Sequence, residues 1–333
     1  MPSELTDITE LATALGMLAP TLEHAFSARP AALVNVDEPT WERMREAWEA
    51  GERAEVFTAA FENGRSFAHA SDGLRGRRPR RVEWKGPQRP PGDDAIPADL
   101  RIDWVYLVSC KYLSKVLLNP SPARLFDGLL VGDGRQSPHW FVEVAEPELQ
   151  SFYEGALLHF GIRGFPDRVV GLDKQQQGDL RDHLRARILP SELQPAWMSL
   201  CEAVSARTVE RWNKNLDSAY VKRRLLWRML RISAATYFVL GADRRSPLRL
   251  RIDSAWDWAQ LYDLKALDVD SRPAGQPEVG WQATVIDRIS GCERTVEGHI
   301  EIRWSHGRFR GNPEAKVYLD TPLSAVPGYH PLG

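Results

Sequence analysis

A chain of 333 residues, 43% hydrophobic and 26% charged, has the composition of an ordinary globular protein and is long enough for two domains. Its net charge of −2 gives no overall attraction to nucleic acid, so any basic surface has to be local. No apolar run reaches membrane-spanning length, and the opening MPSELTDITELATALGML carries acids where a signal peptide needs basic residues, so a cytoplasmic protein with no membrane partner is expected. Cys110, Cys201 and Cys292 lie about ninety residues apart, which leaves no CxxC pair and speaks against a zinc knuckle or a disulfide framework.

In chain order, residues 5–28 and 39–70 read as helices, the second with Val56, Ala60 and Phe67 spaced for one buried face. RRVEWKG reads as a strand, PQRPPGDDAIPA as a loop, and DLRIDWVYLVSCKY as strand again. Ser121 and Pro122 suit the N-cap and first position of a further helix. HWFVEVA is expected to be a strand and residues 146–240 mainly helical. Beyond Pro247 the pattern turns to alternation in LRLRID, WQATVID, TVEGHIEIRWSH and AKVYLD, the signature of a β-rich module. An α+β fold is expected, divided into an N-terminal helical segment (1–38), an α/β core (39–145), a helical region (146–245) and a β-rich C-terminal module (246–333).

Basic charge concentrates twice. Between Arg75 and Arg89 seven basic residues stand against one acid, Glu83. Arg75, Arg77, Arg78, Arg80, Arg81 and Lys85 are candidate phosphate contacts there. Arg224, Arg228 and Arg231 follow at spacings of four and three, which puts them on one helix face, with Leu225, Leu226, Met229 and Leu230 as its apolar side. Arginine stems also cover apolar surface, so this stripe has an alternative reading without a ligand. Only eight of the 43 basic residues are lysines.

Lys111 closes an apolar run. Alternation puts Leu107, Ser109 and Lys111 on one face and Val108, Cys110 and Tyr112 on the other. Were residues 99–112 one straight strand, Asp99 and Lys111 would be about 40 Å apart and could share no ion. A three-residue turn at Asp103, Trp104 and Val105 instead pairs Ile102 with Tyr106 and Asp99 with Ser109, on the face of Lys111. A two-residue turn would put Asp99 opposite Val108, on the wrong face. If the strand is continuous, VEWKG becomes its partner and Glu83 with Asp103 the acidic pair.

The order helix, strand, Asp-bearing strand, Lys-bearing strand, helix over residues 55–145 resembles the PD-(D/E)xK nuclease superfamily of restriction enzymes and repair exonucleases. The resemblance implies a restriction-endonuclease-like α/β core, Mg²⁺ (or Mn²⁺) as cofactor, DNA as partner, and phosphodiester hydrolysis in restriction or phage defence. It also implies association as a homodimer or within a larger defence complex. Asp99 takes the place of the first acid and Lys111 that of the lysine that orients or activates the attacking water. The sequence departs from the motif twice: Pro97 is one residue early, and Ser109 stands where a second acid belongs. Some members carry Ser-x-Lys and draw the missing carboxylate from the next helix, which makes Asp127 a candidate, with Glu83 and Glu62 as substitutes. The alternative is a non-catalytic nucleic-acid-binding or scaffold subunit with a degenerate nuclease fold, in which Asp99 merely begins a strand and Lys111 reaches solvent.

Other motifs are weaker. HGRFRGNPEAK lacks the strand-loop-helix context of a phosphate loop and reads as a hairpin turn. The eight histidines show no HxH or HExxH spacing. Ser114 and Lys115 are adjacent and would face opposite ways on a strand, which argues against a Ser-Lys dyad. Trp256 and Trp258 would share a face if SAWDWAQL were extended, as a base-stacking platform requires.

Overall fold

The computed structural model describes residues 4–86, 98–112, 116–127, 139–186, 188–243 and 246–333. In chain order the elements begin with α1 (Glu4–Leu18), α2 (Leu22–Ser27), β1 (Leu33–Val34), α3 (Glu38–Glu49), α4 (Ala54–His69), β2 (Val82–Trp84), β3 (Leu100–Ile102) and β4 (Tyr106–Tyr112). They continue through β5 (Val116–Leu118), α5 (Pro122–Phe126), α6 (Trp140–Phe160), α7 (Lys174–His183), α8 (Gln194–Asn215) and α9 (Ala219–Met229). The last are β6 (Tyr237–Asp243), β7 (Ser246–Ile252), α10 (Ala255–Leu261), β8 (Tyr262–Ser271), β9 (Glu278–Asp287), β10 (Glu293–Arg303), β11 (Glu314–Leu319) and β12 (Tyr329–Pro331). The protein is α+β, and no helix of the described residues is long and apolar enough to cross a membrane.

Two compact units form, and neither is continuous in sequence. The first takes residues 1–114, 231–261 and 323–333; the second takes 115–230 and 262–322. The expected consecutive segments therefore do not coincide with the units, because compactness follows sheet membership rather than chain order. The expected C-terminal module, for example, gives β7 and β12 to one sheet and β8 to β11 to the other.

The first unit is built on a seven-stranded mixed sheet in the order β1-β2-β3-β4-β6-β7-β12. β2, β3 and β4 form an antiparallel meander, and β6 joins β4 in parallel. Helices α1 and α4 cover one face. α1 is apolar enough to be buried all round from Ile8 to Leu18. It meets α4 at glycines: a Cβ on Gly16 would lie 2.0 Å from the Phe61 carbonyl oxygen, and one on Gly64 2.0 Å from that of Thr13. Val82, Trp84, Leu100, Ile102, Val108, Phe238 and Leu240 project from the sheet into this core. A buried polar network crosses it. Asn63 on α4 donates to the Tyr112 hydroxyl at 3.0 Å and to the Gly241 carbonyl at 2.8 Å, and accepts from Arg249 Nε at 2.8 Å.

In the second unit, β5-β11-β10-β9-β8 make an antiparallel sheet beside α5 to α9. The four alternating segments expected beyond Pro247 are β7, β9, β10 and β11, and HGRFRGNPEAK spans the turn from β10 into β11. Two segments differ from their expected form. HWFVEVA opens helix α6 rather than forming a strand: His139 caps it by accepting from Val142 N, and Trp140, Phe141, Ala145, Leu149 and Phe152 recur at helical spacing and are buried. The kink at Ala145, φ −150°, next to Pro147 blurs that period in the sequence. The stretch expected to be mainly helical, 146–240, holds α6 to α9, with β6 starting at its end at Tyr237. SAWDWAQL is not extended but forms α10, started by reciprocal bonds between Ser254 Oγ and Asp257. Its helical turn sends Trp258 into the core and leaves Trp256 71% exposed, so the two share no platform.

Candidate functional site

The β3–β4 hairpin decides the site. Its register is Leu100↔Val108, Arg101↔Leu107 and Ile102↔Tyr106, closed by the three-residue turn Asp103, Trp104, Val105. Val105 N donates to the Ile102 carbonyl at 3.0 Å, and Asp99 N extends the pairing by donating to the Val108 carbonyl at 2.8 Å. Since Leu100, Ile102 and Val108 face the core, Asp99, Arg101, Ser109 and Lys111 share the opposite face. VEW is at the same time the outer neighbour of β3, pairing Val82 with Ile102 and Glu83 with Arg101. The continuous-strand reading therefore fails, because the chain reverses at residues 103–105; only its VEW partner survives, as the outer neighbour of β3.

Asp99 and Ser109 meet. Ser109 Oγ donates to Asp99 Oδ2 at 3.2 Å, and Cys110 N donates to the same oxygen at 2.7 Å. Both side chains are buried, at 6% and 0% exposure. Lys111 lies two residues further along the same face, half-buried, and makes no ion pair among the described residues. Its strand is pressed against β6: a Cβ on Gly241 would lie 1.7 Å from the Lys111 carbonyl oxygen. Cys110 points the other way, against the α1 and α4 core. Burial, together with the negative charges of Asp99 and Glu10, pushes its thiol well above the ordinary range, so it is no nucleophile.

The other candidate acids do not join this pair. Glu83 accepts from Arg101 Nε at 2.7 Å and from Asn35 Nδ2 at 3.1 Å. Glu62 is on the exposed side of α4, paired with Arg65 at 3.1 Å, because Phe61, Asn63, Gly64 and Phe67 occupy the buried side. Asp127 follows α5 in the second unit, where its two oxygens bind Arg211 at 2.9 and 2.6 Å. Asp103 does not pair with Glu83. Among the described residues no group of three or more His, Cys, Asp or Glu side chains could hold a metal ion.

Asp103 has a different task. Its Oδ1 accepts from the backbone N–H groups of Arg80 (2.7 Å) and Arg81 (3.0 Å), and its Oδ2 accepts from Arg77 Nη1 at 2.5 Å. Partial burial would raise its pKa, but these donors outweigh that and hold it below the usual carboxylate value. The turn therefore staples the arginine-rich segment to the hairpin. Arg75, Arg77, Arg78 and Arg80 are exposed and Arg81 is half-buried; Arg78 and Arg80 form no ion pair among the described residues. Lys85 ties β2 to the hairpin by donating its N–H to the Asp99 carbonyl at 2.9 Å.

The second basic stripe divides. Arg224 lies over the Tyr220 ring, and Arg228 donates to the Arg124 carbonyl at 2.6 Å. Arg231 is past the end of α9 with φ +58° and is grouped with the first unit, so the expected common helix face does not extend to it. Leu225, Leu226, Met229 and Leu230 are all buried, as the helical spacing requires. Ser114, Lys115, Pro97 and the rest of the expected loop from residue 87 to 97 lie outside the described residues.

Trp104 is a residue that the sequence did not single out. At the hairpin tip it is 61% exposed and Val105 72% exposed, with the Arg81 guanidinium 5.8 Å from the Trp104 ring centroid. The signal was present in the sequence: an Asp-Trp-Val turn without glycine has to place large apolar residues at a tip.

Comparison with known proteins finds no matching family model, no matching curated protein and no matching solved structure.

Proposed function

We propose that the protein is a Mg²⁺-dependent DNA endonuclease whose site is the Asp99, Ser109 and Lys111 face of the β3–β4 hairpin. One observation carries this reading: the hairpin register brings Asp99 to Ser109 on the strand face that also bears Lys111. The order α4, β2, β3, β4, with the acid at the head of β3 and the lysine on β4, agrees with the order expected for the superfamily.

The donor set suits a hard cation only minimally. It offers oxygen atoms, one carboxylate and one hydroxyl, and Mg²⁺ is commonly held by one or two carboxylates with water and phosphate oxygens completing its shell. Asp99 would hold the ion, which when bound would neutralise charge developing on the phosphate. Ser109 keeps the Asp99 carboxylate in one orientation. The Lys111 ammonium would orient the water that attacks phosphorus and stabilise charge in the transition state. Arg78 and Arg80, exposed on the stapled segment of the same unit, would take DNA phosphates.

A metal-titrated cleavage assay on duplex DNA tests the proposal. Cutting is expected with Mg²⁺ or Mn²⁺ and not with EDTA, and Ser109→Glu, which restores an acid beside Asp99, should preserve or raise the rate. The two arginines have a separate test, since a phosphate that is no longer neutralised keeps its counterion. Arg78→Ala with Arg80→Ala is expected to reduce the slope of log K against log salt by about 1 for each phosphate left without its arginine. An unchanged slope would remove these arginines from the interface.

A second reading has its own observation. Asp99 Oδ2 already accepts two hydrogen bonds, and Glu83, Asp103, Glu62 and Asp127 are each held by arginine. That arrangement suits a nucleic-acid-binding subunit that has lost cleavage. Protein that binds DNA but never cuts it with either metal puts this reading first.

A further inference from the structure

The tip of the β3–β4 hairpin is built at a conformational cost and gives the core nothing in return. Asp103 and Trp104 both adopt left-handed backbone, φ +49° and +61°, without glycine at either position. Such residues persist where surrounding structure over-determines them, and here the three bonds to the Asp103 carboxylate do so. The result is an indole held out from the sheet beside a cluster of arginines. Arg81 lies over one ring face and fixes its orientation, and the 61% exposure of Trp104 leaves the rest of the ring accessible. Among the described residues the Arg81 Nε–H is buried without an acceptor, and the guanidinium lies against this ring.

We propose that the tip is a binding element for single-stranded DNA, with an unpaired base stacking on the open face of Trp104 while Arg78 and Arg80 take the flanking phosphates. This rests on the nucleic-acid reading above but not on cleavage. A duplex satisfies arginines through its backbone, but its bases are already stacked on one another and offer no free face to an indole. An unpaired base does, and the ring accepts any base. Exposed arginines at 78 and 80, which form no ion pair among the described residues, on the segment stapled to the turn of Trp104 complement a flexible polyanion carrying π-faces better than a protein surface, whose apolar anchors need a pocket.

The test is fluorescence polarisation with a labelled oligothymidine and with a labelled duplex of equal length, both in EDTA so that cutting plays no part. Trp104→Ala is expected to weaken oligothymidine binding about tenfold and duplex binding by less than about twofold. Trp104→Phe, which keeps a smaller π-face in the same turn, should recover most of the loss. Trp256→Ala, which removes an exposed indole elsewhere in the same unit, should bind both probes as the parent does, and because both are read in EDTA a failed cleavage reading leaves this result interpretable. Equal loss on both probes, no loss on either, no rescue by phenylalanine, or a parent that binds no oligothymidine would each overturn the assignment. A Trp104→Ala protein that binds DNA normally but loses a protein partner would give the tip to that partner instead.

Discussion

Lys111→Ala is expected to abolish Mg²⁺-dependent DNA cleavage, lowering the rate by at least about a hundredfold, while DNA binding in EDTA stays near the parent value. Lys111 makes no ion pair among the described residues, and the core contacts of its strand are made by Val108, Cys110 and Tyr112 on the other face. Removing the amine strands no described partner, so the fold should survive. Chemistry is a different matter, because an ammonium directed at water and at developing charge acts on the transition state more than on bound phosphate. Plasmid nicking kinetics read the first effect, and circular dichroism with polarisation binding controls for the others. A variant that cuts as fast as the parent would remove Lys111 from the mechanism.

Gly241→Ala is expected to destabilise the first unit by about 3 kcal/mol or more, because the added methyl has no room. Its Cβ would sit 1.7 Å from the Lys111 carbonyl oxygen and 2.5 Å from its carbonyl carbon, so β4 and β6 must part. The obstacle is backbone, not the movable end of a side chain. Parting the strands also disturbs the Asn63 bond to the Gly241 carbonyl and, through it, the Tyr112 and Arg249 network. Gly178→Ala makes the matched comparison: it lies on α7 with nothing within 4 Å of a new Cβ, and alanine there should be neutral or stabilising. Amide exchange along β4 and β6 measures the effect where it arises, and parental protection in Gly241→Ala would contradict it.

The sequence made the site's local pieces legible and left their surroundings obscure. Alternation assigned the faces of β4, but a three-residue turn, a two-residue turn and a continuous strand all stayed open, and the structure takes the first, which puts Asp99 across from Ser109. What the acids would bind could not be read the same way. Glu83, Asp103 and Asp127 carry charges that suit a metal, yet their partners Arg101, Arg77 and Arg211 come from a neighbouring strand, a loop and a distant helix, and no local pattern ties those together. The opening turns of α6 resemble a strand because Pro147 and the Ala145 kink break a helical period within its first two turns. The division into units escaped because β4 finds its parallel neighbour β6 across more than a hundred residues, a pairing set by tertiary packing alone.

That interleaving of the two units has a consequence for how the chain comes to be folded. Strand β5 waits for β11, and β7 waits for β12, so neither sheet is complete when the residues that open it leave the ribosome. The β4–β6 pairing alone closes a loop of roughly 125 residues, an entropic cost of about 4 kcal/mol before any contact across it is made. Most strands pair with a neighbour in sequence, but these distant closures raise the contact order and slow the steps that need them. During synthesis the β4 edge that β6 will cover stays unpaired, and edges of that kind recruit other strands. The Asp99 and Lys111 face is therefore finished only once β6 has been made and has closed on β4.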